Sequence, residues 1–238
     1  MDIPQSILIV GLGATGLSVA RYLGGLGKQI TITDRKREEE LAAQLPALNG
    51  ITFTARFGEH CREDFLRHDL IVVSPGVDTE APLFKEAMAH GVPVVGEIEF
   101  ASAFVDEPII AVTGTNGKTT CTSLLGEVFR AAFGEVFVGG NIGRPLMEYV
   151  RAGKRLPYVI LEISSFQLET AETFHPRTAL LLNITEDHLD RYRSFDDYVR
   201  AKLRIFENQS EGDHAILNRN MAVPVTGRGR RIFFSSGG

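Results

Sequence analysis

The sequence predicts an α/β protein with mostly parallel sheets. Short apolar, β-branched runs alternate with helix-like stretches along most of the chain, a pattern typical of parallel strands covered by helices. Two of the runs end in glycine turns, at Gly11 and Gly114, so each turn is expected to open its own domain. A length of 238 residues also suits two domains, since one domain commonly holds roughly 100–200 residues. The predicted strands are 7–10, 30–33, 70–73, 92–95, 109–113, 158–162, 179–184 and 215–217.

The first glycine turn has the spacing Gly11-x-Gly13-x-x-Gly16 and lies between a buried strand and a helix. Glycines permit the tight turn and a close backbone approach, and the helix N-terminus offers free amides to a phosphate. Asp34 ends the next strand, where a carboxylate could bind a ribose or a base. This pattern alone leaves a dinucleotide, another nucleotide and a purely structural turn open.

The second turn, in IIAVTGTNGKTT, indicates a phosphate-binding loop although it lacks the full Walker A pattern. Val112 stands where that pattern has its first glycine. A helix with apolar positions at Leu124, Leu125, Val128 and Phe129 follows the loop. In this context Lys118 could reach β- and γ-phosphates, and the Thr119 hydroxyl could bind Mg²⁺. The alternative is a glycine turn with an idle lysine.

The domain division is placed between residues 93 and 108. The segment after 93 offers one short helical stretch, and Pro108 prevents the residues before it from extending the helix. We expect a Rossmann-like domain at 1–93 and a central domain of the P-loop ATPase type at 94–238. The stretch RRIFFSSGG predicts a last strand at which the sequence stops, so the central domain is expected to be incomplete there.

Polar residues follow two buried strands of the central domain. Glu162 ends one strand, and Ser164 with Gln167 predicts a capping box for the next helix. The strand 179–184 leads into Thr185, Glu186, Asp187 and His188. Ligands bind beyond the carboxyl ends of parallel strands, so the Lys118 loop, Glu162 and His188 are expected to converge. A lone histidine is more often structural, but its position beside a phosphate loop favours a ligand.

The stretch SFDDYVRAKLRIFENQ predicts an amphipathic helix. Lys202 falls in the middle of its apolar face, between Tyr198 and Phe206. The lysine could snorkel, with its stem on the core and its amine in water. Alternatively, a partly desolvated amine would have a lowered pKa and would be reactive or open to modification.

Composition limits the partners. A net charge of −5 and a pI of 5.7 argue against a nucleic-acid partner, since phosphate backbones require clustered basic residues. The two cysteines, Cys61 and Cys121, have no metal-ligand or CxxC spacing, which fits a reducing compartment. The first residues lack a basic start and the ~18 apolar residues of a membrane span. A cytoplasmic protein without a membrane partner is expected.

The motifs GLGATGLS, SPG, TGTNGKTT, GGNIG, EISSFQLE, NITEDHLDRY and AKLRIFE occur in this order, and with them the sequence closely resembles the Mur ligases of peptidoglycan synthesis. The resemblance extends over essentially the whole chain, and SSFQLE indicates the member that adds D-glutamate. It implies ATP-dependent amide formation with Mg²⁺. ATP would phosphorylate the L-alanine carboxylate of UDP-N-acetylmuramoyl-L-alanine, and the amine of D-glutamate would then attack the acyl phosphate.

The resemblance also implies the roles of individual residues. Lys118, His188 and Lys202 would be catalytic, and Lys202 would be carbamylated by CO₂. The ATP phosphates would contact Gly114, Thr115, Asn116, Gly117, Lys118, Thr119 and Thr120. The UDP-sugar would contact Ala14, Thr15, Asp34, Gly76, Asn141 and His188. The Mg²⁺ ligands would be Thr119, Glu162, His188 and the modified Lys202. A carbamate forms from a neutral amine, so the apolar surroundings of Lys202 agree with this role.

Members of the resembled family are nearly twice as long, and their C-terminal ligase domain, which supplies the D-glutamate site, is expected to be absent here. We therefore expect a monomer that binds the UDP-substrate without completing the ligation. A nicotinamide-dependent oxidoreductase would explain only the segment from Gly11 to Asp34. A UDP-sugar-binding module without chemistry and a sibling ligase that adds another amino acid are the remaining alternatives.

Overall fold

The first half of the chain forms a five-stranded sheet in which every paired strand is parallel. The computed structural model describes residues 2–187, 191–221 and 223–235. The strand order is β3-β2-β1-β4-β5, so the order reverses beside β1. The strands are β1 (Ser6–Val10), β2 (Gln29–Asp34), β3 (Thr54–Phe57), β4 (Leu70–Val73) and β5 (Val94–Gly96). The helices are α1 (Ala14–Gly25), α2 (Arg62–Arg67), α3 (Pro82–Ala89) and α4 (Glu97–Ser102), with 3-10 turns at Glu38–Leu41 and Leu45–Leu48.

The second half forms a six-stranded parallel sheet in the order β11-β10-β9-β6-β8-β7. Its strands are β6 (Ile109–Thr113), β7 (Phe137–Gly140), β8 (Val159–Glu162), β9 (Thr178–Leu181), β10 (His214–Asn218) and β11 (Arg230–Phe234). Its helices are α5 (Lys118–Phe133), α6 (Leu146–Ala152), α7 (Ser165–Leu168) and α8 (Phe195–Leu203), and a 3-10 turn at Arg204–Phe206 continues α8. The predicted α/β class with parallel sheets is confirmed.

The central strands form because their apolar residues are buried on both faces, as parallel sheets require. Along β1, Ile7 and Ile9 face one core, while Leu8 and Val10 face a separate core under α2 and α3. The period of two assigns alternate residues to opposite faces of the strand. Continuous apolar runs therefore gave correct strand positions, whereas two strands were missed. In β3 the residues of TARF are mostly exposed, and β7 contains two glycines.

Several predicted limits differ from the structure. Strand β9 ends at Leu181 rather than at 184, because the chain then bends to hydrogen-bond the loop that follows β6. The strand predicted at 92–95 is Val94–Gly96 and pairs with β4, so a division after residue 93 would separate it from its own sheet. The sheets change between Gly96 and Ile109. On α5, Leu124 and Val128 are exposed, and Leu125 and Phe129 contact the core.

The two sheets share one hydrophobic core. Helices α1, α4 and α6 lie between the sheets, and the same cluster includes residues of β1 and of β6. Each glycine turn follows a strand at which the strand order reverses, β1 in the first sheet and β6 in the second. Such reversals open a crevice at the carboxyl ends of the strands. Within the described ranges, no helix is long and apolar enough to cross a membrane.

Candidate functional site

The loop between β6 and α5 has the backbone geometry of an anion site. Gly114 has a φ of +152° and Gly117 a φ of +82°, conformations that residues with a side chain rarely adopt. Helix α5 begins at Lys118, and no side chain in the described part of the chain caps its N-terminus. The amides of the first turn therefore remain available to a ligand, and the helix dipole favours negative charge there. This loop can hold a phosphate group.

The segment after β9 braces this loop. The Asn116 amide donates to Asn183 Oδ1 at 2.8 Å, and Asn183 Nδ2 donates back to the Asn116 carbonyl at 2.9 Å. The Thr185 amide donates to Thr115 Oγ1 at 3.0 Å, and Tyr198 Oη lies 3.1 Å from the same hydroxyl. The sequence indicated the exit of the strand but predicted no role for Asn183 or Thr185. Their signal was their position after the strand adjacent to β6.

Lys118 lies over the loop itself. Its Nζ donates to the Thr115 carbonyl at 2.9 Å. A phosphate bound at the α5 N-terminus would offer this ammonium a charged acceptor, and hydrogen bonds between charged partners are roughly twice as strong as neutral ones. Lys118 is thus positioned to exchange a backbone acceptor for a phosphate oxygen.

Glu162 connects the loop to the segment after β7. Its side chain is 2% exposed, Oε2 accepts the Thr119 hydroxyl at 2.7 Å, and Oε1 accepts Asn141 Nδ2 at 2.8 Å. The structure therefore brings together three of the predicted site residues, Thr119, Asn141 and Glu162. His188, which was expected to converge with the Lys118 loop and Glu162, lies outside the described residues.

The Thr119 and Glu162 oxygens fit a Mg²⁺ ion. Mg²⁺ takes oxygen ligands, keeps several waters, and is held by one or two carboxylates together with substrate phosphates. Among the described residues, no three His, Cys, Asp or Glu side chains gather as a metal-binding cluster. A metal here would therefore depend on phosphate oxygens and water to complete its coordination.

Lys202 has its amine inside the protein. The residue is 2% exposed, Nζ donates to the Gly114 carbonyl at 2.9 Å, and Nζ lies 4.5 Å from the centroid of the Tyr198 ring. Burial and the nearby Lys118 lower the pKa of Lys202 to about 7, against the opposing effect of Asp187. The snorkelling interpretation is wrong, because the amine does not reach water.

The first glycine turn is stabilised by close packing. A Cβ on Gly16 would lie 2.0 Å from the Gly11 carbonyl oxygen, and Gly11 has a φ of +94°. Asp34 Oδ2 accepts the Leu12 amide at 2.7 Å, and Asp34 Oδ1 accepts the Lys36 amide at 2.9 Å. Asp34 thus shapes the turn, in addition to any contact with a ligand.

Three further residues predicted to contact the UDP-sugar lie at the same end of the first sheet, namely Ala14, Thr15 and Gly76. Ala14 is exposed and Thr15 half-buried at the N-terminus of α1. Ser74 Oγ donates to the Gly11 carbonyl at 2.9 Å, which attaches the turn containing Gly76, with a φ of +86°, to the glycine turn. The structure therefore places these predicted residues on adjoining turns.

The fold and this site define an α/β protein with a glycine loop at a helix N-terminus, a buried lysine and a carboxylate–hydroxyl pair beside it. Two family models match the chain, the Mur ligase MurD-like N-terminal domain at residues 5–96 and the Mur ligase middle domain at residues 112–228. The chain belongs to the Mur ligase family, and the two matches correspond to its two sheets.

Curated relatives support the same family. The UDP-N-acetylmuramoylalanine--D-glutamate ligase of Geotalea daltonii is 52% identical over 214 residues, which are 90% of this chain and 47% of the relative. The ligase of the same name from Geobacter sp. (strain M21) is also 52% identical, with the same coverage of both chains. The chain thus spans about half the length of the curated relatives it matches.

A solved structure supports the fold. The UDP-N-acetylmuramate:L-alanyl-gamma-D-glutamyl-meso-diaminopimelate ligase from Neisseria meningitides has a TM-score of 0.60 and 19% identity to this chain. The match covers 96% of this chain and 78% of that one. At this identity the likeness concerns the fold alone.

Proposed function

We propose that this chain binds ATP and UDP-N-acetylmuramoyl-L-alanine as part of a ligase that joins D-glutamate to the latter. The observation that carries the proposal is the buried Glu162 carboxylate, which hydrogen-bonds Thr119 beside the Lys118 loop and Asn141 on the next loop. The names of the relatives, at about half identity, supply the substrate class.

In this proposal the loop from Gly114 to Thr120 holds the ATP phosphates through the α5 amides and through Lys118. Thr119 and Glu162 would hold Mg²⁺, and the bound ion would neutralise the negative charge of the phosphoryl oxygens. Lys118 gives up its bond to the Thr115 carbonyl and donates to a phosphate oxygen. These residues reduce the repulsion between ATP and the L-alanine carboxylate, which have like charges.

Lys202 is proposed to be carbamylated. The neutral amine attacks CO₂, a bond forms between Nζ and carbon, and one proton leaves to water. The buried position of Nζ and its lowered pKa of about 7 support the reaction, because a substantial fraction of the amine is then neutral near pH 7. The resulting carbamate would be an additional oxygen ligand for a metal ion near the Gly114 loop.

The first glycine turn is proposed to hold the UDP end of the substrate. Amides at Ala14 and Thr15 face the phosphates, Gly76 approaches closely, and Asn141 extends the contact to the second sheet. Asp34 would act mainly through the turn, because both of its oxygens accept backbone amides. His188 is proposed as a further substrate and metal ligand on the strength of the sequence alone.

The two halves of the proposal can be tested by calorimetric titration of the 238-residue chain. We expect binding of Mg-ATP and of UDP-N-acetylmuramoyl-L-alanine, with Lys118→Ala losing the first and keeping the second. The matched control is Lys85→Ala, since Lys85 is exposed and pairs only with Glu80 in the described structure. Equal loss of ATP binding in both variants would contradict the assignment.

A second measurement tests whether this stretch completes the ligation. We propose that it binds substrate as a cytoplasmic monomer and that D-glutamate does not stimulate phosphate release from ATP. A D-glutamate-dependent release of phosphate by the chain would contradict this expectation.

A further inference from the structure

A buried carboxylate lies between the two sheets, away from the loops described above. Glu97 is the first residue of α4, directly after β5, and it is 2% exposed. Its Oε1 accepts the backbone amide of Met147 at 2.6 Å, in the first turn of α6. The acid thus reaches from the end of the first sheet to a helix of the second half.

Glu97 supplies the hydrogen-bond acceptor that the residue before α6 cannot provide as an N-cap. The residue before α6 is Pro145, which has no side-chain hydrogen-bonding group, and helix N-termini need acceptors for their first amides. The backbone amide of Leu146 also stabilises the Glu97 carboxylate, and within the described ranges Glu97 forms no ion pair. Burial without a charged partner disfavours a carboxylate, so the contact with α6 is what compensates for its position.

The loop 139–145, which leads into α6, also contacts the candidate metal site. Arg144, just before Pro145, accepts the Gly140 amide at 2.9 Å through its carbonyl. A Cβ on Gly139 would lie 2.3 Å from that same carbonyl oxygen, so the loop is closely packed. Asn141 then donates its amide to the Glu162 carbonyl at 2.8 Å and its side chain to Glu162 Oε1. The start of α6 is thus connected to Asn141 through the closely packed loop 139–145.

We propose that Glu97 is a positioning residue, which fixes the first turn of α6 and thereby orients Asn141 and the Glu162 carboxylate. It touches neither nucleotide nor metal and acts through the loop 139–145. The consequence for metal binding rests on the proposed function, whereas the structural link between Glu97 and Asn141 does not.

Amide hydrogen exchange tests the structural link without any ligand. We expect Glu97→Ala to speed exchange across residues 139–147 by roughly tenfold, the effect of losing a capping acceptor. Glu97→Gln should leave exchange near that of the parent chain, because the amide carbonyl can accept from Met147. Asp64→Ala is the matched control, since Asp64 is a buried carboxylate whose ion pairs, with Arg56 and Arg67, lie within the first half of the chain.

The control separates positioning from general loss of stability. If Glu97→Ala and Asp64→Ala change exchange at 139–147 alike, the proposal is overturned. Failure of Glu97→Gln to preserve slow exchange would overturn it as well. Should Glu97→Ala not fold, Glu97→Leu removes the acceptor while filling the space, and the same comparison applies.

Metal affinity tests the consequence. With ADP present and Mn²⁺ as the probe metal, Glu97→Ala and Asn141→Ala should each weaken Mn²⁺ binding, and the double variant should be no weaker than Asn141→Ala. Additive effects would overturn the route through Asn141. Absence of Mn²⁺–ADP binding by the parent chain would refute the proposed function instead, and hydrogen exchange would still decide the role of Glu97.

Discussion

Gly13 and Gly16 of the first turn differ in what a methyl group would meet. At Gly13 nothing lies within 4 Å of a new Cβ, and φ is −79°, whereas at Gly16 the Gly11 carbonyl oxygen lies 2.0 Å away. The motif was readable from the sequence, but the separate tasks of its glycines were not. These tasks depend on the distance between the turn and α1, which the spacing of the glycines in the sequence does not reveal.

Gly16→Ala should lower the free energy of unfolding by about 1–3 kcal/mol, because a backbone oxygen cannot move away from the new methyl group. Gly13→Ala is the matched control and should cost under about 1 kcal/mol, as a small change at an N-cap. Urea denaturation of both variants measures the difference. Gly13→Ala should instead weaken binding of the UDP-sugar, since it obstructs a close backbone approach. Equal destabilisation by the two substitutions would contradict this division.

Asn183→Ala should weaken ATP binding by about tenfold with a stability loss near 1 kcal/mol, because it removes both hydrogen bonds to Asn116. Asn208→Ala is the control, since Asn208 also donates two side-chain bonds, to Glu172 and Phe174. It should cost similar stability and leave ATP affinity unchanged. Calorimetric titration with Mg-ATP compares the two variants.

At the scale of elements, the sequence was informative wherever burial was complete. Most strands buried on both faces were predicted within one or two residues, although β9 ends three residues before its predicted limit. The capping box of Ser164 and Gln167 is present before α7. Strand β3 was missed because an exposed strand carries no apolar signal. Site residues that follow buried strands, such as Glu162, could be predicted for the same reason. The roles of Asn183 and Glu97 could not be predicted, because their partners Asn116 and Met147 are distant in sequence and come close only in the folded chain.

Ser164→Ala should cost about 1 kcal/mol, because the Gln167 amide loses the Ser164 hydroxyl as its acceptor. Ser164→Thr, which retains a capping hydroxyl, should recover most of this loss. Thermal unfolding followed by circular dichroism measures both. A Thr variant as unstable as the Ala variant would show that the side-chain cap does not stabilise α7.

For the whole molecule, the common core makes the boundary between the sheets a buried interface rather than a loose linker. Helices α1, α4 and α6 bring apolar residues from both halves into one cluster, and the buried Glu97 of α4 accepts the Met147 amide of α6. The sequence predicted two halves that divide between residues 93 and 108. The extent of their shared core depends on helix packing, which the periodicity of either half alone does not determine.

Stability of the whole chain should depend on pH through this interface. Burial raises the pKa of Glu97 to about 7, against the opposing amides of Met147 and Leu146, so the folded state retains a proton that the unfolded state loses above about 4.5. Its contribution is full below about pH 4.5 and is lost as pH rises to about 7, a decrease on the order of 1–3 kcal/mol. Glu97→Gln should flatten this dependence in urea denaturation at pH 5 and pH 7.5. An unchanged slope in that variant would refute the assignment to Glu97.

The hydrogen bonds that Asn183 and Thr185 make to the phosphate loop have a kinetic consequence. The loop has its shape before a nucleotide arrives, so its conformational entropy is lost during folding and not during binding. Nucleotide association then needs only the displacement of Lys118 from the Thr115 carbonyl, a side-chain rotation on the nanosecond scale. The observed association rate should therefore rise linearly with nucleotide concentration, without the plateau that a slow loop-ordering step would impose.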